Sequence, residues 1–386
     1  MKPEMAAAHR RAFMAALDGG VAVLRSGSEI IRNRDTHFRF RPDSDFWYLT
    51  GFGEPDAVAV LRPGADAERY VLFVRPRDPA QEVWTGRRAG IEGAREVHGA
   101  DAAYPIESLD EHLPRLLKGF GSLTFAPGAD PDFDRKLLGW VRDTHLRSRD
   151  DVRMPAQILH PAPTLHELRL RKTPDEVAAL RRCAALTNDA HRAAMSALRA
   201  GQGEWEIEAL VDSTFRRGGG WGPGYPSICA AGVNATILHY NTNNERVPAG
   251  AMMLLDAGAE ADGYTADVTR CFPSGARFLP AQRELYEVVL AAQLAAIEQV
   301  RPGVPFHSVH DVGAYYTADR QSRPLEPGMV LTVEPGLYVP ADDAGAPERF
   351  RGLGVRVEDD VLVTAAGHEV LTAAIPKTVA DIEALR

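Results

Sequence analysis

Four carboxylates in the C-terminal half of the chain interrupt short apolar runs of β-strand character. They are Asp256, Asp267, Glu334 and Glu358. A charge on a buried strand is costly unless it is paired or coordinates a metal ion. One such acid is more often a strand-end, turn or salt-bridged residue than a ligand. Four in one chain reverse those odds and favour a metal site.

An all-oxygen ligand set of this kind suits hard divalent ions. Mn²⁺ and Mg²⁺ fit it best, and Zn²⁺ or Co²⁺ fit when a histidine joins the set. Two bridging carboxylates can hold two ions about 3.5–4 Å apart, where a shared water is activated and a carbonyl is polarised. Hydrolysis is the reaction class that this chemistry favours.

Strand pairing has to position these acids. Asp256 and Asp267 are separated by a turn over 257–263, so antiparallel pairing brings both carboxylates to one end of a hairpin. The predicted strands cover residues 227–230, 252–255, 264–272, 329–334 and 354–363.

Helices flank these strands. Thr173, Pro174 and Glu176 form the pattern of a capping box, which predicts a helix from 174 to about 199. Further helices are expected over 204–217 and 279–300.

The chain is long enough for two domains, and the fold class is mixed α/β. Residues 1–155 alternate short apolar runs with turns and helical stretches, which predicts an α/β domain. The proline-rich segment 156–173 is expected to be a linker. Residues 174–386 form the domain with the four acids.

Composition excludes several classes of function. The net charge of −9 over 386 residues argues against a nucleic-acid partner and, mildly, against an anionic membrane. Three widely separated cysteines form neither a disulfide framework nor a CxxC zinc pattern. No apolar run reaches 18 residues, and we expect a cytoplasmic protein without a membrane partner.

Several strings resemble one family. YPSICAAGVNATILHY, LLDAGAEADGYTADVTRCF, VHDVG, LEPGMVLTVEPGLY and GVRVEDD closely resemble the pita-bread metallopeptidases of the aminopeptidase P and prolidase group, and the chain is identified as a member of it. DSDFWYLTGF at 43–52 resembles the N-terminal domain of aminopeptidase P, which methionine aminopeptidases lack. The resemblance implies an N-terminal α/β domain and a pita-bread catalytic domain with a curved antiparallel sheet.

The resemblance also implies an activity and roles at the centre. Members remove an N-terminal residue that precedes proline, using two divalent ions, Mn²⁺ above all. Asp267 and Glu358 would bridge the ions and Asp256 would complete one shell. Glu334 would bind the other ion and act as acid and base.

Around the ions, the resemblance assigns substrate roles. His239 would contact substrate and carry a proton, His310 would hydrogen-bond substrate, and Arg356 would orient a ligand carboxylate. From the residues alone, His239 is more often a core histidine than a functional one, and Arg356 is a surface arginine.

The walls of a proline pocket should be apolar or aromatic, because proline has no amide N–H to recognise. Tyr225, Tyr338 and His310 are candidates, and Arg320 either lines the pocket or lies on its loop. Trp84 matches a residue that reaches the active site of a neighbouring subunit in a homodimer or homotetramer. The alternative is a tryptophan in the core of its own domain.

The chain departs from this family at one place. Relatives carry a helix and a strand with H-G-x-x-H between the R-P-G turn and V-H-D-V-G, and the second histidine is a metal ligand. Here residues 301–308 lead straight into Val309-His310-Asp311. We interpret the junction as an internal deletion that weakens the second ion site.

Three functions follow from these observations. The first is a metal-dependent peptidase that cleaves N-terminal Xaa-Pro bonds. The second is a non-catalytic pita-bread protein that binds peptides and cannot complete its metal centre. A metal-free hydrolase of creatinase type is disfavoured, because all four carboxylates remain.

Overall fold

The computed structural model describes residues 1–147, 154–309 and 322–386. They form two compact units, Met1–Arg169 and Leu170–Arg386. The division falls inside the predicted linker 156–173, which carries a strand and a helix along most of its length. The domain limits at 155 and 174 stay predictions.

The N-terminal unit contains strands and helices in alternation. Its strands are β1 (Val21–Arg25), β2 (Ile31–Asn33), β3 (Thr36–His37), β4 (Val58–Leu61), β5 (Tyr70–Val74), β6 (Ala102–Pro105), β7 (Ser122–Thr124) and β8 (Gln157–Leu159). Its helices are α1 (Pro3–Ala15), α2 (Ser44–Thr50), α3 (Pro79–Thr85), α4 (Gly90–Glu96), α5 (Leu109–Leu116), α6 (Pro131–Arg147) and α7 (Ala162–Leu170), with a 3₁₀ turn over Ile106–Ser108.

Six of these strands form a mixed sheet in the order β6-β5-β4-β1-β7-β8 within the described residues. Its central strands are apolar on both faces. Val21 and Val23 pack in one core with α5, whereas Ala22 and Leu24 pack in the other with α1 and α2. Continuous apolar runs of this kind are typical of a sheet covered on both sides, and the predicted α/β fold is confirmed.

The C-terminal unit is built from antiparallel strands and three longer helices. Its strands are β9 (Gly222–Pro223), β10 (Ile228–Ala231), β11 (Met252–Asp256), β12 (Ala259–Ala261), β13 (Tyr264–Thr265), β14 (Thr269–Pro273), β15 (Val330–Val333), β16 (Gly336–Val339), β17 (Leu353–Arg356), β18 (Asp359–Thr364) and β19 (Gly367–Val370). Its helices are α8 (Pro174–Ala197), α9 (Glu204–Arg217), α10 (Pro280–Ile297), α11 (Phe306–Val309) and α12 (Val379–Glu383), with 3₁₀ turns over Gly232–Thr236 and Glu348–Phe350.

Helix α8 begins where its capping residues predict. Thr173 and Glu176 form the expected capping box of α8, and α9 and α10 span most of the predicted ranges. Apolar side chains of α8, α9 and α10 pack in one core with the antiparallel sheet β10-β11-β14. The helices therefore form a layer against which the strands of the site are fixed.

Two predicted strands are broken in the structure. The run 264–272 divides into β13 and β14, and the run 354–363 divides into β17 and β18. Asp267 lies in the first break and Glu358 in the second. An unbroken strand alternates its side chains between two faces, so these breaks let both acids turn toward one point.

None of the helices in the described ranges is both long and apolar enough to cross a membrane.

Candidate metal centre

A cavity of about 500 Å³ in the C-terminal unit collects most of the predicted site. Its lining contains Tyr225, Pro226, Ile228, Leu238, His239, Asn241, Asp256, Asp267, Glu334, Tyr338, Arg356 and Glu358. All four predicted carboxylates are among them. Antiparallel pairing and strand ends thus bring together residues that lie up to 133 positions apart in the sequence.

Strand ends position the acids. Asp256 is the last residue of β11 and pairs with Thr269 at the start of β14. Asp267 lies two residues before Thr269, so both aspartates lie at one end of the β11–β14 pair, as their spacing predicts. Glu334 follows β15, and Glu358 connects β17 to β18.

Gly258 allows the hairpin to close around these acids. A Cβ at this position would lie 1.7 Å from the carbonyl oxygen of Ala266, the neighbour of Asp267. A side chain there would push the Asp267 backbone away from Asp256. The glycine in the Asp-Ala-Gly string is therefore a steric requirement of the site.

Three carboxylates form a tight group. Asp256, Asp267 and Glu358 each offer an oxygen that lies within 4.8 Å of the others. Glu334 lines the same cavity, but its side chain is exposed and accepts a hydrogen bond from Thr332 at 3.0 Å. The structure thus gathers three of the four predicted ligands and places the fourth at the cavity edge.

Burial and mutual repulsion raise the pKa values of Asp267 and Glu358. Burial, followed by the charge of Asp256, raises the pKa of Asp267 to about 6. Burial raises the pKa of Glu358 well above its ordinary value, and the charge of Asp267 adds to this. Such a group gains from a cation that offsets its repulsion. The donors are oxygens, so the site fits a hard divalent ion.

Arg356 compensates part of this charge. It is 3% exposed, and its guanidinium donates to Asp256, to the Thr269 hydroxyl at 2.9 Å and to the Tyr338 hydroxyl at 2.9 Å. Burial has the largest single effect and lowers the pKa of Arg356, but the charge of Asp256 and the contacts with Tyr338 together outweigh burial, so the pKa is raised. The surface-arginine alternative is excluded, and the carboxylate that Arg356 contacts is Asp256.

Tyr225 has a polar contact that its prediction as a pocket wall did not include. Its hydroxyl lies 2.7 Å from an oxygen of Asp256 and 2.7 Å from one of Asp267. Burial raises its pKa well above the usual value, so it remains a neutral phenol. A phenol has one proton to donate, so the Tyr225 hydroxyl is shared between the two aspartates.

The other candidates are distributed as follows. His239 is exposed at the cavity, which excludes the core-histidine alternative. Trp84 lies on α3 of the N-terminal unit with its side chain 85% exposed, so it is not a core tryptophan of that unit. His310 and Arg320 lie outside the described residues.

Some lining residues carried no signal in the sequence. Pro226, Ile228, Leu238 and Asn241 line the cavity. Each lies within three residues of Tyr225 or His239, and that proximity is what could have pointed to them. Apolar or amide residues in short runs have many other uses.

Two family models match this chain. Metallopeptidase family M24 matches residues 178–319 and 307–365, and the N-terminal domain of aminopeptidase P matches residues 6–124. Residues 307–319 belong to both M24 matches. The overlap accords with the deletion predicted at Val309-His310-Asp311.

Relatives match over the full length. The Xaa-Pro aminopeptidase of Escherichia coli K12 is 37% identical, with 95% of this chain and 93% of the relative covered. The Xaa-Pro aminopeptidase of Haemophilus influenzae is 37% identical over 431 positions, covering 100% of this chain and 97% of the relative. Since this chain has 386 residues, about 45 of those positions have no counterpart in it.

Solved structures agree with the fold. The Pseudomonas aeruginosa aminopeptidase PepP matches with a TM-score of 0.96 at 40% identity, covering 100% of this chain and 98% of that one. Zinc-substituted E. coli aminopeptidase P in complex with product matches with a TM-score of 0.94 at 36% identity, with the same coverage.

Proposed function

Because this chain belongs to metallopeptidase family M24 and is a metallo-exopeptidase with the aminopeptidase P fold, we propose that it hydrolyses the bond between an N-terminal residue and a proline at position two. The observation that carries the proposal is the three-carboxylate group in a cavity whose wall also contains Pro226, Ile228 and Leu238. Xaa-Pro aminopeptidases among the relatives support it. They lend no support to the non-catalytic alternative.

Asp256, Asp267 and Glu358 would hold a divalent metal ion, with Glu334 at the cavity edge as the further ligand. Mn²⁺ is the ion we favour for this oxygen donor set. When bound, the ion supplies Lewis acidity and lowers the pKa of water.

The chain's own groups prepare the site. Arg356 donates to Asp256 across a buried contact and holds that carboxylate in position. Tyr225 orients both aspartates through one hydroxyl. These contacts hold the acids in place before an ion or a peptide arrives, which reduces the reorganisation that binding requires.

Substrate would lie between the acids and the apolar wall. Leu238 and Ile228 offer surface to a proline ring, and proline brings no amide N–H that needs an acceptor. Glu334 is exposed at the edge of the cavity, where it can accept a proton from the attacking water and return it to the leaving amine. His239, also exposed, is placed to contact substrate.

A second ion would be held less tightly. The tight group contains three oxygen donors, and the segment expected to supply a nitrogen ligand is the one predicted to be deleted. We expect about one Mn²⁺ per chain after gel filtration, measured by mass spectrometry of the metal. Two tightly retained ions would contradict a weakened second site.

The activity is tested with purified protein, Mn²⁺ and a peptide that begins Ala-Pro. Release of free alanine is expected, and the same peptide with alanine at position two serves as the control. Glu334→Gln should reduce release strongly while the protein stays folded. Folded wild-type protein that releases no alanine in Mn²⁺ would contradict the proposed activity.

Assembly and location complete the proposal. We propose a homodimer or homotetramer, since Val83 and Trp84 expose 81% and 85% of their surface on α3, and light scattering would measure the mass. The three cysteines are buried and unpaired, which supports a reducing cytoplasmic location.

A further inference from the structure

One buried carboxylate in the C-terminal unit lies away from the metal group. Glu204 begins α9 and has no exposed surface. A buried carboxylate is costly unless it is hydrogen-bonded. Its position therefore requires partners, and those partners identify what it does.

Four hydrogen bonds converge on Glu204. Oε1 accepts from the Ala231 amide at 2.8 Å and from the Asn234 side chain at 3.1 Å. Oε2 accepts from the Tyr240 hydroxyl at 2.8 Å and from the Glu245 amide at 3.0 Å. All four donors are neutral groups.

The four donors belong to one segment of the chain. Residues 231–245 leave β10, make a 3₁₀ turn and return toward β11 without forming a strand. Leu238 and His239 lie in the middle of this segment and line the metal cavity. Glu204 holds the segment on both sides of that middle, since two donors precede His239 and two follow it.

Asn243 fixes the same segment to the sheet. Its side-chain oxygen accepts from the Cys229 amide at 2.9 Å, and its amide donates to the Ser227 carbonyl at 2.8 Å. The segment is thus held by α9 through Glu204 and by β10 through Asn243. Both attachments are polar and buried, so each loses a hydrogen bond without gaining one from water when the segment shifts.

We propose that Glu204 is a positioning residue that fixes segment 231–245, so that His239 and Leu238 stay at the edge of the metal cavity. The part about catalysis rests on the proposed function, in which His239 contacts substrate. The part about the segment rests on the contacts alone. A carboxylate is suited to this role because it only accepts hydrogen bonds and has room for four donors.

Glu204→Gln tests the role with little change in size. The glutamine amide presents two N–H groups where the segment also presents donors, so about half of the contacts are lost. Glu206→Gln is the matched control, because Glu206 is exposed on the same helix and, among the described residues, its side chain accepts one hydrogen bond, from the Gly203 amide. If Glu204→Gln does not fold, Tyr240→Phe removes one of the four donors and leaves the carboxylate in place.

Amide hydrogen exchange measures how firmly segment 231–245 is held, and it does not depend on enzymatic activity. In Glu204→Gln, amide exchange over 231–245 should be at least about tenfold faster than in Glu206→Gln, since one lost hydrogen bond corresponds to about a factor of ten. Tyr240→Phe should give a smaller increase over the same segment. Equal exchange in all three variants and wild type would overturn the proposal.

Kinetics then connect the segment to His239. On an Ala-Pro peptide, Glu204→Gln should lower kcat/KM by about a hundredfold, whereas Mn²⁺ binding stays within twofold of wild type. In a His239→Ala background the same change should add almost nothing, because the group being positioned is gone. Full, independent losses in the double variant would overturn the link to His239. Absence of activity in wild type would instead refute the proposed function and leave the exchange result to decide about Glu204.

Discussion

Replacing Arg270 with methionine should destabilise the C-terminal unit more than any exposed arginine does. Arg270 has no exposed surface and donates to the Asp359 carboxylate at 2.7 Å. It also donates to four backbone carbonyls at 2.6 to 3.2 Å. These carbonyls belong to Thr269, Glu358, Ile375 and Pro376. One guanidinium thus joins β14, β18 and the C-terminal segment.

The expected loss follows from these contacts. Removing one partner of a buried ion pair costs about 3–5 kcal/mol. Asp359 retains Lys377 at 2.8 Å and Gln293 at 2.8 Å, which favours the lower end. Carbonyls left without a donor add about 1 kcal/mol each before relaxation. We therefore expect Arg270→Met to lower the free energy of unfolding of this unit by about 3–7 kcal/mol, from the ion pair alone to the ion pair plus four unrelaxed carbonyls.

Urea unfolding measured by hydrogen exchange of C-terminal peptides resolves this unit from the other. Arg283→Met is the matched control, because Arg283 forms an exposed i,i+4 pair with Glu287 and should cost less than about 1 kcal/mol. Mn²⁺ affinity should also fall about tenfold or more in Arg270→Met, since the Glu358 backbone loses its donor. If the two variants differ by less than about 1 kcal/mol, the buried network does not stabilise this unit as we infer.

Three further predictions concern particular residues. Burial lowers the pKa of His191 to about 3, and its ring hydrogen-bonds the Ala257 carbonyl at 3.0 Å. Below pH 6.5 the unfolded chain binds a proton at His191 that the folded chain does not, so the free energy of unfolding of wild type should fall by up to about 1.4 kcal/mol per pH unit between pH 6.5 and 3. Urea midpoints of His191→Asn that fall just as steeply with pH would contradict this. Glu358→Gln should weaken Mn²⁺ binding at least tenfold by calorimetry, whereas Glu369→Gln, at an exposed ion pair, should leave it unchanged; equal affinities would remove Glu358 from the ligand set. Gly258→Ala should abolish Mn²⁺ binding because its Cβ meets the Ala266 carbonyl at 1.7 Å, and Gly275→Ala, with open space around it, is the control; retained binding in Gly258→Ala would show that the hairpin tolerates a side chain.

Local patterns were sufficient for much of the fold. The capping box at Thr173 predicted the start of α8, and apolar runs predicted β10, β11 and β15. These signals depend on neighbours in sequence, such as a cap three residues from its partner, and need no tertiary contact. The same rules predicted continuous strands over 264–272 and 354–363. They were wrong there because the bends at Asp267 and Glu358 serve contacts with distant residues.

Some features of the site were also predictable from the sequence, whereas others depended on the tertiary structure. An acid placed in an apolar strand is anomalous wherever it occurs, so the sequence by itself predicted the four carboxylates as ligands, and the resemblance of its motifs indicated the family. Which three converge, that Arg356 contacts Asp256, and that Tyr225 contacts two aspartates were decided by strand register and burial. Glu204 had no sequence signal at all. Its role exists only because folding brings residues 27 to 41 positions away onto one carboxylate, and hydrogen bonds over such separations are a property of the tertiary structure.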